Sequence, residues 1–314
     1  MAKISSSAKV AIVGAGRVGS TAAYALMLGG TISSIALIDS NKERAEGEAL
    51  DLNHCMQFTR VTTIMAGDSF ELVAGADVVV LTAGAAQLVG QSRSDLLAVN
   101  AAIFKHIIPQ IVRHNKECIL LVVTNPLDVM TYLTWKLSGF SSCQVFGTGT
   151  VLDSARLRYL LGEHFQVSPK DVTAYALGEH GDASFVWWSG ATIGGIPLTA
   201  FTRYDKKIMD DIAEKTRRAA EQIIAKKGST FYAIGLVIAK IVQAIILNQP
   251  RVLSVSAVVH NALAQDVCFS LPTIVRRGGI CEMLPVTLNQ DEQNKLAASV
   301  LTIKNEIEKG MSYI

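Results

Sequence analysis

The chain has 314 residues, enough for one large domain or two that share an interface; half are hydrophobic and 18% charged, so a substantial core can be buried. Its 29 basic and 27 acidic side chains leave a net charge of +2 with no basic arm or acidic tail, and nothing points to nucleic acid or a membrane surface. Five cysteines, none in a C-x-x-C pair, argue against a disulfide framework, and no basic-then-apolar leader precedes Lys9, so a reduced, cytoplasmic protein is expected.

Short runs of Val, Ile and Leu at 9–13, 34–38, 61–65, 77–81 and 118–123 read as buried strands. Near-continuous apolar composition of this kind suits a parallel sheet covered on both faces. Helices are predicted between them at 18–28, 42–55 and 94–113, and the strand–helix rhythm predicts a doubly wound α/β sheet. After about Thr150 the rhythm changes. A helix at 152–164 leads to a strand at 172–177 and a Gly-rich stretch at 190–195. Helices at 206–226 and 231–247 follow, then strands at 252–259 and 267–274. The 231–247 run is the most apolar, but it contains Lys240 and Gln243 and reads as a buried helix.

The first strand runs into Gly14-Ala15-Gly16-Arg17-Val18-Gly19, and Asp39 ends the second strand 20 positions beyond Gly19. Each element meets a specific demand of a bound dinucleotide. Gly14 permits the tight turn, Gly16 lets backbone approach a pyrophosphate, and Gly19 lets helix and strand pack closely. The first turn of the helix, from Arg17 and Val18, offers unpaired N–H groups to the phosphates. Asp39 would accept the adenosine ribose hydroxyls and repel a 2′-phosphate, favouring NAD over NADP. The competing reading is a plain strand–helix turn with Asp39 capping a helix that begins at Ser40. The pattern predicts a dinucleotide-binding domain of the Rossmann type over 1–149 and a closely packed α+β substrate domain over 150–314.

Four further motifs could carry chemistry. In Leu152-Asp153-Ser154-Ala155-Arg156 a carboxylate and a guanidinium share one helix face, as a site or as an ordinary intrahelical ion pair. Gly178-Glu179-His180-Gly181-Asp182 sets a histidine between glycines at a strand end, where it is either catalytic or simply structural. The 84–93 loop carries glycines near both ends and one cation, Arg93, as a lid or as a surface loop. Thr124-Asn125-Pro126 ends the fifth strand, where parallel-sheet strands face a ligand crevice, or forms a turn.

Together, in this order behind the glycine turn, VGAGRVGS, TNPLDVM, VLDSAR, GEHGD and the loop ending in Arg93 resemble the L-lactate/L-malate dehydrogenase family over essentially the whole chain. The resemblance implies NAD as cofactor, a small 2-keto or 2-hydroxy acid as substrate, and no metal. It makes His180 the proton donor and acceptor and Asp153 the carboxylate that orients it. It makes Arg156 the substrate-carboxylate anchor and Arg93 the loop arginine that polarises the carbonyl. Asn125 is similar to the residue that hydrogen-bonds the substrate, while Thr230 and Ile234 correspond to positions beside substrate and nicotinamide. A homo-oligomer is implied, a tetramer before a dimer.

Within the family, Gln87 occupies the loop position that is typically arginine in malate enzymes. A second substrate carboxylate would find no cation there, at a cost of several kcal/mol in a closed pocket, so pyruvate is favoured over oxaloacetate. The 147–150 stretch also resembles lactate enzymes. Leu88 and Val89 make the loop tip apolar, which leaves a branched 2-keto acid open as an alternative. A nucleotide-binding protein without activity is the alternative of a different class. Arg158 matches an arginine used by relatives activated by fructose 1,6-bisphosphate, but Thr173 replaces their histidine, and no such activation is expected.

Overall fold

The computed structural model describes residues 8–85, 93–261 and 264–314; of residues 93, 94, 261, 264 and 265 only the backbone is described. The first half runs β1 (Lys9–Val13), α1 (Arg17–Leu28), β2 (Ser34–Ile38), α2 (Lys42–His54), β3 (Thr63–Gly67), β4 (Val78–Leu81), α3 (Arg93–His114), β5 (Ile119–Val122), α4 (Leu127–Ser138) and β6 (Val145–Gly147). The second half opens with α5 (Val151–Phe165) and five two-residue strands, β7 (Val172–Thr173), β8 (Ala176–Leu177), β9 (Phe185–Val186), β10 (Thr192–Ile193) and β11 (Ile196–Pro197). It closes with α6 (Lys206–Lys227), α7 (Tyr232–Ile246), β12 (Arg251–Asn261), β13 (Ala264–Arg276), β14 (Gly279–Met283) and α8 (Gln290–Met311).

The parallel strands lie in the order β3-β2-β1-β4-β5-β6, so the direction of winding reverses between β1 and β4. That reversal opens a crevice beyond the carboxyl ends of the strands. Successive side chains alternate between two cores, which is why the strands are apolar throughout. Ala11, Val13, Val79 and Leu81 enter the core shared with α3, α4 and α8. Val10, Ile12, Val78 and Val80 enter the core shared with α1 and α7. Within α3, residues 95–114 have the length and apolarity to cross a membrane, yet Leu97, Ala101, Phe104, Ile108 and Ile111 are buried in the first of these cores.

The sheet does not stop at the middle of the chain. Strand β12 pairs antiparallel with β6 through Ser256–Gly147 and Ala257–Phe146, and β13 and β14 extend the same sheet to nine strands. A third core under α5 and α6 gathers Leu157, Leu161, Val172, Ile193 and Met209.

Two sequence expectations need correction, and one competing reading falls. The strand predicted at 172–177 is two strands in different sheets, β7 against β10 and β8 against β9. The carbonyl of Ala174 between them is taken by Arg158 Nε at 2.9 Å, so no ladder runs through it. The strand predicted at 61–65 begins at Thr63, because pairing starts at Ser34–Thr63 and Val61 is 77% exposed. Helix α2 starts at Lys42 and its cap is Asn41, whose side chain accepts the Arg44 N–H, so Asp39 is not needed as a helix cap. Helices α4 and α8 and strand β6 were not anticipated from sequence.

Candidate active site

The glycine turn between β1 and α1 lines a groove of about 830 Å³ together with Asp39. Gly14 has φ +110, and a Cβ there would lie 2.5 Å from the Ala83 backbone nitrogen, so this turn excludes any side chain. A Cβ on Gly19 would lie 1.9 Å from the Gly14 carbonyl oxygen, which brings helix and strand into contact. Gly16 differs: a Cβ there meets nothing within 4 Å, so the space in front of it is open to a ligand. Asp39 accepts the Ala15 N–H on Oδ2 at 2.8 Å and the Asn41 N–H on Oδ1 at 2.9 Å. Each oxygen keeps a lone pair for a further donor. A cradle of open backbone beside a carboxylate fits a dinucleotide.

A second pocket, of about 210 Å³, is lined by Asn125, Asp153, Arg156 and His180. Asp153 and Arg156 sit one turn apart on α5, and the Arg156 Nη1 donates to Asp153 Oδ1 at 2.9 Å. The other carboxylate oxygen, Oδ2, pairs with His180 Nδ1 at 2.7 Å. The intrahelical ion pair of this motif is therefore present, and the same carboxylate also engages His180. Nδ1 is committed to Asp153, which leaves Nε2 as the imidazole nitrogen for a substrate.

Burial would raise Asp153, but the His180 and Arg156 charges and hydrogen bonds hold its carboxyl below the ordinary range. Burial would likewise lower His180; Asp153 and, more weakly, Asp128 overcome it and raise the imidazole above its ordinary value, against the pull of Arg156.

The histidine loop is pinned from three sides. Gly178 bridges to Ser270 of β13, exchanging hydrogen bonds of 2.9 Å in both directions. The Glu179 N–H donates to Ser299 Oγ of α8 at 2.7 Å. The His180 N–H donates to Asp128 Oδ2 of α4 at 2.7 Å, while Ser256 of β12 donates to Asp128 Oδ1 at 2.6 Å. Helix α5 is held as firmly. Thr150 donates to the Ala176 carbonyl at 2.5 Å, and Ser154 accepts the Ala176 N–H at 3.0 Å. Gly149, at φ +56, lies where a Cβ would be 2.4 Å from the Ser254 carbonyl oxygen.

Not every predicted residue converges. Arg17 donates from Nη1 to Ser229 Oγ at 2.9 Å, tying the glycine turn to the segment that carries Thr230. Val18 and Ile234 pack against the core under α1 and α7. Thr230 is half-buried and, like Ile234, lines neither the groove nor the pocket. Arg93 is the first residue of α3, but its side chain lies outside the described residues, as does Gln87. Sequence reasoning gave no role to Asp128, although it lies in TNPLDVM. It also missed the wall that Arg217, Ala220, Glu221 and Ile224 of α6 add to the pocket; no motif marks them.

Residues 8–147 match the family model for the lactate/malate dehydrogenase NAD binding domain, and residues 150–314 match that for the lactate/malate dehydrogenase alpha/beta C-terminal domain. The chain is 48% identical over 306 residues to an L-lactate dehydrogenase of Acetivibrio thermocellus, covering 96% of each. It is 43% identical over 313 residues to an L-lactate dehydrogenase of Clostridium botulinum, covering 98% of each. Among solved structures, a lactate dehydrogenase from a Medee basin deep-sea metagenome library superposes with a TM-score of 0.93 at 36% identity, covering 97% of this chain and 99% of that one. The minor L-lactate dehydrogenase of Enterococcus mundtii superposes with a TM-score of 0.93 at 37% identity, covering 97% and 98%. The chain belongs to the lactate/malate dehydrogenase family, and its first half carries that family's NAD binding domain.

Proposed function

We propose that this protein interconverts pyruvate and L-lactate, with NADH and NAD as cofactor. The observation that carries the reading is the Asp153–His180–Arg156 cluster, in which one buried carboxylate serves both a proton-bearing imidazole and a guanidinium. Residues 1–149 hold the dinucleotide and residues 150–314 supply most of the catalytic groups. Gly14, Gly16, Gly19 and the first turn of α1, from Arg17 and Val18, hold the pyrophosphate, and Asp39 holds the adenosine ribose. NADH, when bound, supplies the hydride for reduction.

The chain's own groups do the rest. Arg156 receives the substrate carboxylate on its planar fork, which fixes orientation as well as adding affinity. His180, when protonated, donates its Nε2 proton to the developing alkoxide, and when neutral it accepts the proton of lactate. Asp153 keeps Nδ1 protonated and offsets the imidazolium charge. Asn125 hydrogen-bonds the substrate, Arg93 polarises its carbonyl, and Thr230 and Ile234 flank substrate and nicotinamide.

A neutral Gln87 favours a monocarboxylic keto acid. Steady-state NADH oxidation with pyruvate, oxaloacetate and 2-ketoisocaproate side by side tests the reading, with pyruvate expected to have the highest kcat/KM. A preference for oxaloacetate or 2-ketoisocaproate would replace the substrate, and no turnover with any of them would remove the activity.

The protein is proposed to be a cytoplasmic homo-oligomer, a tetramer before a dimer. Tyr24 and Leu28 of α1 and Tyr232 and Leu236 of α7 are large apolar side chains left exposed on two helices that pack together. Light scattering after size-exclusion chromatography gives the assembly. Fructose 1,6-bisphosphate is expected to leave the rate unchanged.

A further inference from the structure

The carboxylate of Asp128 contacts the main chain of the histidine loop rather than the ring that Asp153 holds. It is 3% exposed, at the start of α4, and both its oxygens are engaged. One takes the backbone N–H of His180, 52 residues away; the other takes the hydroxyl of Ser256, 128 residues away, at the point where β12 joins β6. A serine or asparagine would satisfy one backbone N–H at far less desolvation cost, so a buried charge here calls for a reason beyond holding the loop.

We propose that Asp128 is a positioning residue for proton transfer: it fixes the backbone of His180 and supplies a second negative charge that keeps the proton on the imidazole. This inference rests on His180 being the acid–base group of the proposed reaction. The imidazole is served from two sides, by Asp153 through Nδ1 and by Asp128 through its main chain and its field.

Other charges nearby are accounted for. Arg156 on α5 opposes the imidazolium, and Glu179, on the histidine loop itself, opposes ionisation of Asp128. Asp182 and, from α6, Arg217 and Glu221 line the pocket mouth. Cys268 of β13 feels the Asp128 charge and is held neutral by burial. Burial pushes Asp128 up to about 7, against the Ser256 and His180 hydrogen bonds, so it ionises across neutrality. As it does, its charge strengthens the hold of His180 on its proton and carries the donor form to higher pH. The two groups titrate as a coupled pair.

Asp128→Asn keeps the shape and one acceptor while removing the charge. The expected result is that the imidazole midpoint of His180 falls by about one pH unit, as removal of an opposite charge at short range predicts. It is read directly by NMR titration of the histidine ring in the full chain, with the resonance assigned by loss in His180→Gln. In kinetics, the alkaline limb of kcat/KM for pyruvate reduction moves to lower pH, and so does the acid limb for lactate oxidation. NADH affinity by fluorescence titration stays within about twofold.

Ser256→Ala is the second variant. It removes a donor that favours the Asp128 carboxylate, so it shifts His180 in the same direction by a smaller amount. An unmoved His180 midpoint in folded Asp128→Asn, or in Ser256→Ala should the first not fold, overturns the proposal, as does a fall in kcat with the pH profile unchanged. The NMR arm needs no substrate, so a failure of the pyruvate reading and a failure of this coupling are told apart.

Discussion

Replacing Asp153 by Asn tests the site at its centre. The substitution leaves an oxygen to accept from His180 Nδ1 at the 2.7 Å now observed, but it removes the charge. Two unit charges about 4 Å apart interact by about 4 kcal/mol at an effective dielectric of 20, which bounds the effect from above. A hydrogen bond to a charged group contributes about 1.5–3 kcal/mol, which bounds it from below. The loss is compounded because Arg156, now donating to Asp153 Oδ1 at 2.9 Å, would face the imidazolium without a counter-charge. An intermediate value of about 3 kcal/mol corresponds to roughly a hundredfold fall in kcat/KM for pyruvate at pH 7. The His180 midpoint falls by about two pH units, more than for Asp128→Asn, because Asp153 touches the ring itself. The assay is kcat/KM for pyruvate from pH 5 to 9, with NADH affinity measured separately by fluorescence. An alkaline limb that stays in place, or a loss explained wholly by weaker NADH binding, would refute the role given to Asp153.

Gly16→Ala and Gly19→Ala separate two duties within one turn. Gly19→Ala places a methyl against the Gly14 carbonyl and is expected to cost about 1–3 kcal/mol, seen as a lower Tm, while Gly16→Ala leaves Tm unchanged and weakens NADH binding in fluorescence titration. Asp39→Ala removes the acceptor of the Ala15 N–H and of a ribose; a tenfold rise in the NADH Kd, about 1.4 kcal/mol, with a relative gain for NADPH is expected, and an unchanged ratio of the two would count against it. Gln87→Arg is expected to raise kcat/KM for oxaloacetate relative to pyruvate, and unchanged ratios would remove the specificity argument. Asp128 also has a stability signature. A carboxyl raised to about 7 contributes fully to stability below its ordinary range and loses that contribution progressively as pH rises from there to about 7. Asp128→Asn is therefore expected to gain stability relative to the wild type between pH 5 and pH 8, by at most about 3 kcal/mol, seen as a larger Tm difference at pH 8. An equal Tm difference at both pH values would show that Asp128 is not raised.

The sheet and the dinucleotide turn were legible because both obey local rules: apolar runs for strands buried on two faces, and glycines where no Cβ fits. Asp153 and Arg156 were legible because helix spacing alone puts them together, and the structure adds that His180 joins them from a loop far along the chain. Asp128 was not legible. An acidic residue in the first turn of a helix is ordinary, since it favours the helix dipole, and nothing local says that this one is buried under a histidine loop. The α6 wall was hidden for a similar reason, because Ala220 and Ile224 read as part of an amphipathic stripe. The 172–177 run misled because its composition is right for one strand, while the side chain of Arg158, elsewhere in the chain, interrupts the ladder. Helices α4 and α8 were missed although Asn289 and Glu292 form a capping box at the start of α8.

The union of β6 with β12 has a consequence for how the chain can be cut. Expressed alone, residues 1–149 would keep every parallel strand and the whole glycine turn, yet β6 would become a bare rim with its main-chain groups facing water. Such a rim recruits whatever strand it meets, so the fragment would be prone to self-association. The Asp153–His180–Arg156 cluster would be absent altogether, and Asp128 would lose both its partners, since His180 and Ser256 also lie beyond residue 149. The NAD binding domain and the stretch that carries the Asp153–His180 pair thus share one seam, and neither is a portable module.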